Sequence, residues 1–182
     1  YDRSDSRQSG VFTQKAGGPS QTVTDTNFKR RRDCNVRDAG LVQQIQARIV
    51  RRVVPEIRKV YQFEATQLER LILASYDASD HGCFGAHRDN TVTATEHRRF
   101  AVSINLNQDF DGGELVFPEF GRRGYRPPAG GAIVFSCSLM HLVTPVTAGR
   151  RIACLPFVYD EAAATLKRAN VAAAQESRSA VR

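Results

Sequence analysis

The sequence predicts a mainly β chain with flanking helices, an α+β fold built on a β-sandwich or jelly-roll core. Three observations carry that expectation. Between residues 68 and 159, short stretches rich in Val, Ile, Leu, Phe and Tyr recur at regular intervals, separated by Gly- and Pro-containing turns. Before them, Leu41, Ile45, Ile49, Val53, Ile57 and Val60 return at near-helical spacing, with Arg, Gln and Lys between. After them, an Ala-rich run follows Asp160, a residue type that caps helix N-termini.

Taken in order, residues 1–37 are polar, with Gly17-Gly18-Pro19 among many Ser and Thr. They are expected to form a partly irregular arm with one short strand near Val11–Thr13. Asp38 is a suitable N-cap for a helical segment over 38–63. Pro55 should kink or split that segment, because proline lacks the N–H and its ring clashes with the preceding turn. The segment reads as scaffold, an N-terminal amphipathic helix layer on the core. Leu68–Tyr76 reads as a buried strand and Asp77–Gly85 as turn-rich. Phe100–Asn107 is a strand; Asp111-Gly112-Gly113 turns into Glu114–Phe117, and Pro127–Gly131 turns into Ala132–Ser136. Arg151–Tyr159 is the last strand, followed by a helix over about 160–175. The chain thus divides into an arm, 1–37, and one domain, 38–182, whose core spans about 68–159.

A length of 182 residues with 41% hydrophobic content suits one domain with a sizeable core. No run approaches the ~18 apolar residues of a membrane helix, so no membrane association is expected. The chain opens on Tyr1 rather than Met, so upstream sequence is expected. Cys34, Cys83, Cys137 and Cys154 are dispersed with no C-x-x-C. Free thiols in a reducing, cytoplasmic setting are the expectation, with Cys137 and Cys154 acting as small core residues. The net charge of +7 is concentrated in clusters: Lys29–Arg32, Arg51-Arg52, Arg98-Arg99, Arg122-Arg123 and Arg150-Arg151. A basic balance favours anionic partners. No cluster is interleaved with aromatics as single-strand binders require, so nucleic acid is disfavoured. All clusters but the last read as solvated surface.

His87 and Asp89 are two apart, so on a strand they share a face. Alone the pair is weak, since a surface His beside a turn carboxylate explains it equally. His141, beyond the apolar run Ala132–Phe135, supplies a second imidazole. Two imidazoles and one carboxylate on one face of an ion leave the other face open, which suits non-haem Fe(II). Arg151 lies ten residues after His141, and a turn at Thr147-Ala148-Gly149 would bring it back beside the ion. A guanidinium there holds a carboxylate bidentately. Arg150 has the opposite side-chain direction and competes for the role, while Arg151 shares its face with Ala153 and Leu155, which leaves room for a ligand. His81 and His97 lie in loops and read as solvated.

Together, His87-Arg88-Asp89, His141 and Arg151 resemble the H-x-D…H…R/K signature of the 2-oxoglutarate- and Fe(II)-dependent dioxygenases. The closer similarity is to the prolyl 4-hydroxylase-like branch. It rests on Tyr76, the Asp77–Gly82 turn, Phe84 three residues before His87, the strand Val102–Leu106, Gly112-Gly113-Glu114 with Phe117-Pro118, and Pro127–Phe135 before His141. The resemblance covers roughly residues 68–160. It implies a double-stranded β-helix core with His87, Asp89 and His141 on Fe(II), and O2 and 2-oxoglutarate as co-substrates. Arg151 would take the far carboxylate, with Tyr76 and Asn105 as further co-substrate-binding candidates. Ascorbate is a candidate reductant. Phe84, Arg88 and Arg98 are substrate-pocket candidates. The implied reaction couples oxidative decarboxylation of 2-oxoglutarate to hydroxylation of a prolyl or other peptide residue, or of a small metabolite. It needs no catalytic side chain beyond the metal ligands. One departure is Ala153, where related enzymes often carry Ser or Thr. Two other readings stand beside this one. A nucleic-acid dealkylating dioxygenase has only the net charge in its favour. A non-catalytic jelly-roll module sensing a metal or acid is opposed by the complete triad.

Overall fold

Strands form through the middle of this chain because its β-branched and aromatic runs each have a face to bury. The computed structural model describes residues 5–16, 18–69 and 71–179. Among these the chain is mainly β, with three α-helices. The larger sheet runs in the order Arg7–Gln8, Arg32–Asn35, Ile72–Asp77, Val146–Cys154, Phe100–Asn105, Phe157–Tyr159, Gln67–Leu68. Phe110–Gly112 also pairs with Val146–Cys154, and Ala132–Ser136 with Phe100–Asn105. The smaller sheet runs Gly124–Tyr125, Leu115–Val116, His141–Val143, Cys83–His87, Lys29–Arg30. Val11–Gln14 and Ser20–Val23 form a separate hairpin.

The two sheets face each other across one apolar cluster. Ala74, Tyr76, Ala101, Phe135 and Val146 enter it from the larger sheet, Phe84, Leu115 and Val143 from the smaller. Alternate residues of the same large-sheet strands serve a second cluster. Leu73 and Phe100 meet Ile49 and Ile57 of the helices there, as the two-residue period of a strand requires.

The helical segment is split as proline demands. Helix α1 spans Ala39–Arg52, with the Asp38 carboxylate accepting the Leu41 N–H at 2.6 Å; helix α2 spans Val54–Tyr61, with Pro55 in its first turn. It is not an N-terminal layer, because five short strands precede it. Ile49 and Ile57 are buried, but Leu41 and Val60 of the expected apolar face are exposed. They sit at the two outer ends of a broken pair rather than along one continuous stripe. Helix α3 spans Glu161–Ser179, and Asp160 accepts the Ala163 N–H at 2.9 Å.

The partly irregular arm has the strand expected near Val11–Thr13, as Val11–Gln14, and more strands besides. Its residues contribute strands to both sheets and the hairpin, tied in by backbone pairing that polar sequence supports as well as apolar. Arg31 alone separates Lys29–Arg30 in the smaller sheet from Arg32–Asn35 in the larger. The expected turn at Thr147–Gly149 is also corrected. Val146–Cys154 is one strand, and the chain reverses just before it, at Thr144-Pro145. Gly149 has φ +66°, and a Cβ there would lie 2.3 Å from the Asp109 carbonyl oxygen, so this glycine marks a close approach. The last expected strand is interrupted at Leu155-Pro156, where proline has no N–H to give. Leu68–Tyr76 resolves into Gln67–Leu68 and Ile72–Asp77. Residues 1–4, Gly17, Arg70 and residues 180–182, on which parts of the arm, strand and domain expectations fall, lie outside the described residues.

Candidate metal and co-substrate site

His87 ends the strand Cys83–His87 and His141 begins His141–Val143, and the two are antiparallel partners. Asp89 lies just past the strand end, its N–H donating to the Cys137 carbonyl at 3.0 Å. Its carboxylate reaches between the imidazoles, with Oδ1 3.5 Å from His87 Nε2 and Oδ2 3.4 Å from His141 Nε2. One ligand atom from each of the three lies within 4.8 Å of the others. His87 Nδ1 donates to the Gly85 carbonyl at 2.8 Å and His141 Nδ1 to the Leu139 carbonyl at 3.0 Å. A carbonyl only accepts, so both Nδ1 atoms carry protons and both Nε2 lone pairs face the shared point. Phe84 stacks on His87 at 3.6 Å, and Phe135 meets His141 edge-on at 4.6 Å, walling the cluster with apolar surface.

The electrostatics match. Burial pushes the Asp89 carboxyl up, but the neighbouring His87, His141 and Arg98 side chains outweigh it and hold it below the ordinary value. Burial, joined by the charge of His87, pushes His141 down against the pull of Asp89. An ionised carboxylate beside a neutral imidazole is the metal-ready state.

A clamp ties the two ligand-bearing segments together. Arg88, between His87 and Asp89, donates to Glu119 Oε1 at 2.7 Å and Oε2 at 3.3 Å, and also to the Ser138 carbonyl. Glu119 Oε2 in turn accepts the Met140 N–H, next to His141, at 3.0 Å. The Arg88 guanidinium, a substrate-pocket candidate by sequence, lines the cavity described below but is already engaged by Glu119.

Arg151 is 2% exposed and lies opposite Tyr76 across paired strands. Its Nε donates to Asn105 Oδ1 at 2.9 Å and its Nη2 to Ser103 Oγ at 2.8 Å. Nη1 is buried with no partner among the described residues. Burial lowers the guanidinium's pKa; Tyr76 opposes the shift and Arg31 adds to it. Arg150 sits opposite Asp77 and points to the other face of the strand, which separates the two competing arginines. The Tyr76 hydroxyl accepts from Arg31 Nη1 at 3.2 Å, leaving its own proton free to be donated.

A cavity of about 1590 Å³ opens on His87 and Asp89, with Phe84, Lys29, Arg98 and Met140 and the arm's Gly10 and Phe12 in its wall. Arg98 stacks on Phe157 at 3.9 Å and pairs with Glu69 at 3.2 Å, its Nε buried without a partner among the described residues. Two expectations are corrected. His97 is not solvated: it is 2% exposed, 2.5 Å from Glu69, and meets Tyr159 edge-on. Nor is Lys29–Arg32 a solvated cluster: Lys29 is 5% exposed, and the Arg31 side chain is buried against Asp33 at 2.7 Å. The available signal was the two-residue spacing of Lys29, Arg31 and Asp33, one charged face of an extended segment. Arg31, Lys29, Ser103 and Glu119 are the residues that sequence reasoning missed.

Residues 71–159, which carry Tyr76, His87, Asp89, Asn105, His141 and Arg151, match the family model described as the 2OG-Fe(II) oxygenase superfamily. Over these residues the chain is similar to that superfamily. A PKHD-type hydroxylase of Nitrosomonas europaea is 34% identical to this chain over 107 residues, 53% of this chain and 47% of the relative. A PKHD-type hydroxylase of an Azoarcus species is 34% identical over 89 residues, 44% of this chain and 39% of the relative. The chain spans about half the length of the curated relatives it matches, or less. A solved prolyl hydroxylase from Trichoplax adhaerens, in complex with a hypoxia inducible factor oxygen degradation domain peptide fragment, superposes with a TM-score of 0.63. It is 20% identical, with 86% of this chain and 74% of that one covered. A prolyl-4-hydroxylase of Pseudomonas putida gives a TM-score of 0.60 at 17% identity, with 74% of each chain covered. These structures share the fold. The donor set and the half-satisfied Arg151 fit the two groups that name the superfamily: two imidazole nitrogens and a carboxylate for Fe(II), and an orphaned buried guanidinium donor for a carboxylate.

Proposed function

We propose that this chain couples oxidative decarboxylation of 2-oxoglutarate to hydroxylation of a C–H bond in a peptide residue, prolyl residues included, or in a small metabolite. One observation carries the reading. His87 and Asp89, clustered with the buried His141, line an open cavity, while a buried arginine with a donor unpartnered among the described residues lies in the adjoining core. His87, Asp89 and His141 would hold Fe(II), and the Arg151 Nη1 donor and the Tyr76 hydroxyl would take the far carboxylate of 2-oxoglutarate. Bound iron, with 2-oxoglutarate and O2, supplies the oxidising power for hydroxylating an unactivated carbon.

The chain's own residues orient and shield. The carbonyls of Gly85 and Leu139 fix the ligand tautomers. Phe84 and Phe135 keep water from the imidazoles. Asn105 donates to the Pro127 carbonyl at 2.7 Å, which aims its oxygen at Arg151, so it positions the guanidinium. The substrate would enter through the cavity, past Phe84 and Arg98. The two facing sheets are read as the double-stranded β-helix of this superfamily. The four cysteines are free thiols, which suits a reducing compartment such as the cytoplasm.

The test is an anaerobic titration of the protein with Fe(II) and 2-oxoglutarate. A weak visible charge-transfer band is expected in wild type and is lost in His87→Ala. A folded wild type that gives no band would overturn the proposal.

A further inference from the structure

The cavity is lined by a buried cation that nothing above uses. Lys29 lines it together with His87 and Asp89, on a strand paired to the one that carries His87; Lys29 itself faces Phe84 in register. Its Nζ lies 4.4 Å from the centroid of the Phe84 ring, and that ring stacks on His87 at 3.6 Å. One aromatic ring is thus the shared wall between the amine and a metal-ligand candidate. Arg31, Arg88 and Arg98 line the same cavity, and each already holds a carboxylate, from Asp33, Glu119 and Glu69 respectively. Lys29 holds none among the described residues. Its Nζ donates to the Gly10 carbonyl at 2.8 Å, which uses one of three N–H donors. Arg151, Tyr76 and Asn105 are absent from the cavity's lining, so Lys29 stands on the side open to substrate rather than beside the co-substrate arginine.

Burying an ammonium that lacks a counter-ion is unfavourable, and a phenyl face compensates for it only in part. Burial and the charge of Arg31 lower the Lys29 pKa to about 7, although Asp33 and Asp89 pull the other way without pairing with it directly. A docked anion would restore the missing partner. We propose that Lys29 is a substrate-recognition residue, and that the group it recognises is a carboxylate carried by the substrate near the carbon presented to the metal. The proposal deepens the oxygenase reading and rests on it for the word substrate. The carboxylate could belong to a small acid or to an acidic side chain of a peptide, and the two are told apart by the probes below.

The full-length chain is loaded anaerobically with Fe(II) and saturating 2-oxoglutarate, and binding is followed by calorimetry. One probe pair is aspartate capped as its N-acetyl N-methylamide, with the capped asparagine isostere. The other is an alanine-based octapeptide with a single Glu, with its Gln counterpart. At least one acid is expected to bind about tenfold or more tightly than its amide, the scale of one charge-assisted hydrogen bond. The preference should vanish in Lys29→Met and persist in Lys29→Arg. Lys29→Gln stands in if the Met variant fails to give a wild-type melting curve. A preference in the capped pair marks a small-acid substrate, and one in the peptide pair alone marks an acidic peptide; both support the role. Wild type that binds neither acid better than its amide, including no binding at all, overturns it. So does a preference that survives in both neutral variants. The charge-transfer band of the same wild-type sample reports separately on the iron reading: acid preference without a band sinks the oxygenase proposal and leaves the lysine's role standing.

Discussion

Replacing Arg151 with Met should abolish tight 2-oxoglutarate binding while leaving the fold nearly as stable as before. Arg151 gives Asn105 and Ser103 one hydrogen bond each, and its third nitrogen has no partner among the described residues. No carboxylate among the described residues compensates its charge, and an uncompensated buried ion costs several kcal/mol. Met removes that cost but leaves Asn105 Oδ1 and Ser103 Oγ short of a donor, about 1–2 kcal/mol each. The two sides nearly cancel, so urea unfolding should shift by no more than about 2 kcal/mol. Binding has no such compensation. Loss of a charge-assisted pair with the far carboxylate should cost about 2–4 kcal/mol, a factor of roughly 30 to 1000 in Kd. Anaerobic titration of the Fe(II) form, followed by the charge-transfer band, measures it. Arg150→Met is the control and should bind normally, since Arg150 faces the other side of the strand. An Arg151→Met variant that binds within threefold of wild type, or an Arg150→Met variant that loses binding, would refute the assignment.

Glu119→Ala should weaken Fe(II) binding about tenfold by releasing Arg88 and the Met140 N–H, with little change in melting temperature because the bridge is substantially exposed; equilibrium dialysis against Fe(II) beside a thermal melt checks both halves. Gly149→Ala should lower urea stability by about 2 kcal/mol or more, because it combines a positive φ with a Cβ placed against the Asp109 carbonyl. Glu69 should govern part of the acid limb of stability. Burial raises its pKa, but the hydrogen bond to His97 and the charges of Arg98 and Lys167 overcome this and bring it to about 2 from 4.5. The folded value is depressed, so this contribution is present above about pH 4.5 and is lost as the pH falls through about 2. Glu69→Gln should therefore flatten the pH dependence of unfolding free energy in that window, and an unchanged acid limb would contradict the network.

Legibility in the sequence followed where side chains had to be buried and failed where the backbone alone did the work. Phe100–Asn105 and Ala132–Ser136 bury apolar residues at strand spacing and lie next to Gly- and Pro-containing turns, so pattern reading finds them nearly to the residue. Arg32–Asn35 and Lys29–Arg30 pair by main-chain bonds and keep polar side chains, so no hydrophobic period announces them. The three-donor cluster was legible because H-x-D keeps two donors close in the chain, although Asp89 reaches the cluster from the turn after the strand rather than from the strand face, and His141 proved to be the strand partner of His87. Arg31 and Lys29 were not, because a run of four basic residues ordinarily marks solvated surface and burial is not written in the run itself. Gly149 misled in a specific way. Its conformational freedom is used within a strand, to let Asp109 approach, rather than to reverse the chain. Glu119 gives no signal in isolation; its meaning comes only from the three-dimensional meeting of Arg88 and Met140.

The single-residue crossing at Arg31 makes the arm a seam rather than an appendage. Two adjacent short strands are stitched one to each sheet, so on this side the sheets cannot slide or separate without tearing pairs on both. Any breathing of the cavity must therefore pivot about this seam. A shortened chain beginning at Asp38 would lose more than an accessory: it would bare an unpaired edge on each sheet at once, at Ile72–Asp77 and at Cys83–His87, the latter ending in a metal-ligand candidate. Exposed edges of that kind recruit other strands. Such a chain should fail by self-association before the chemistry of its site could be judged.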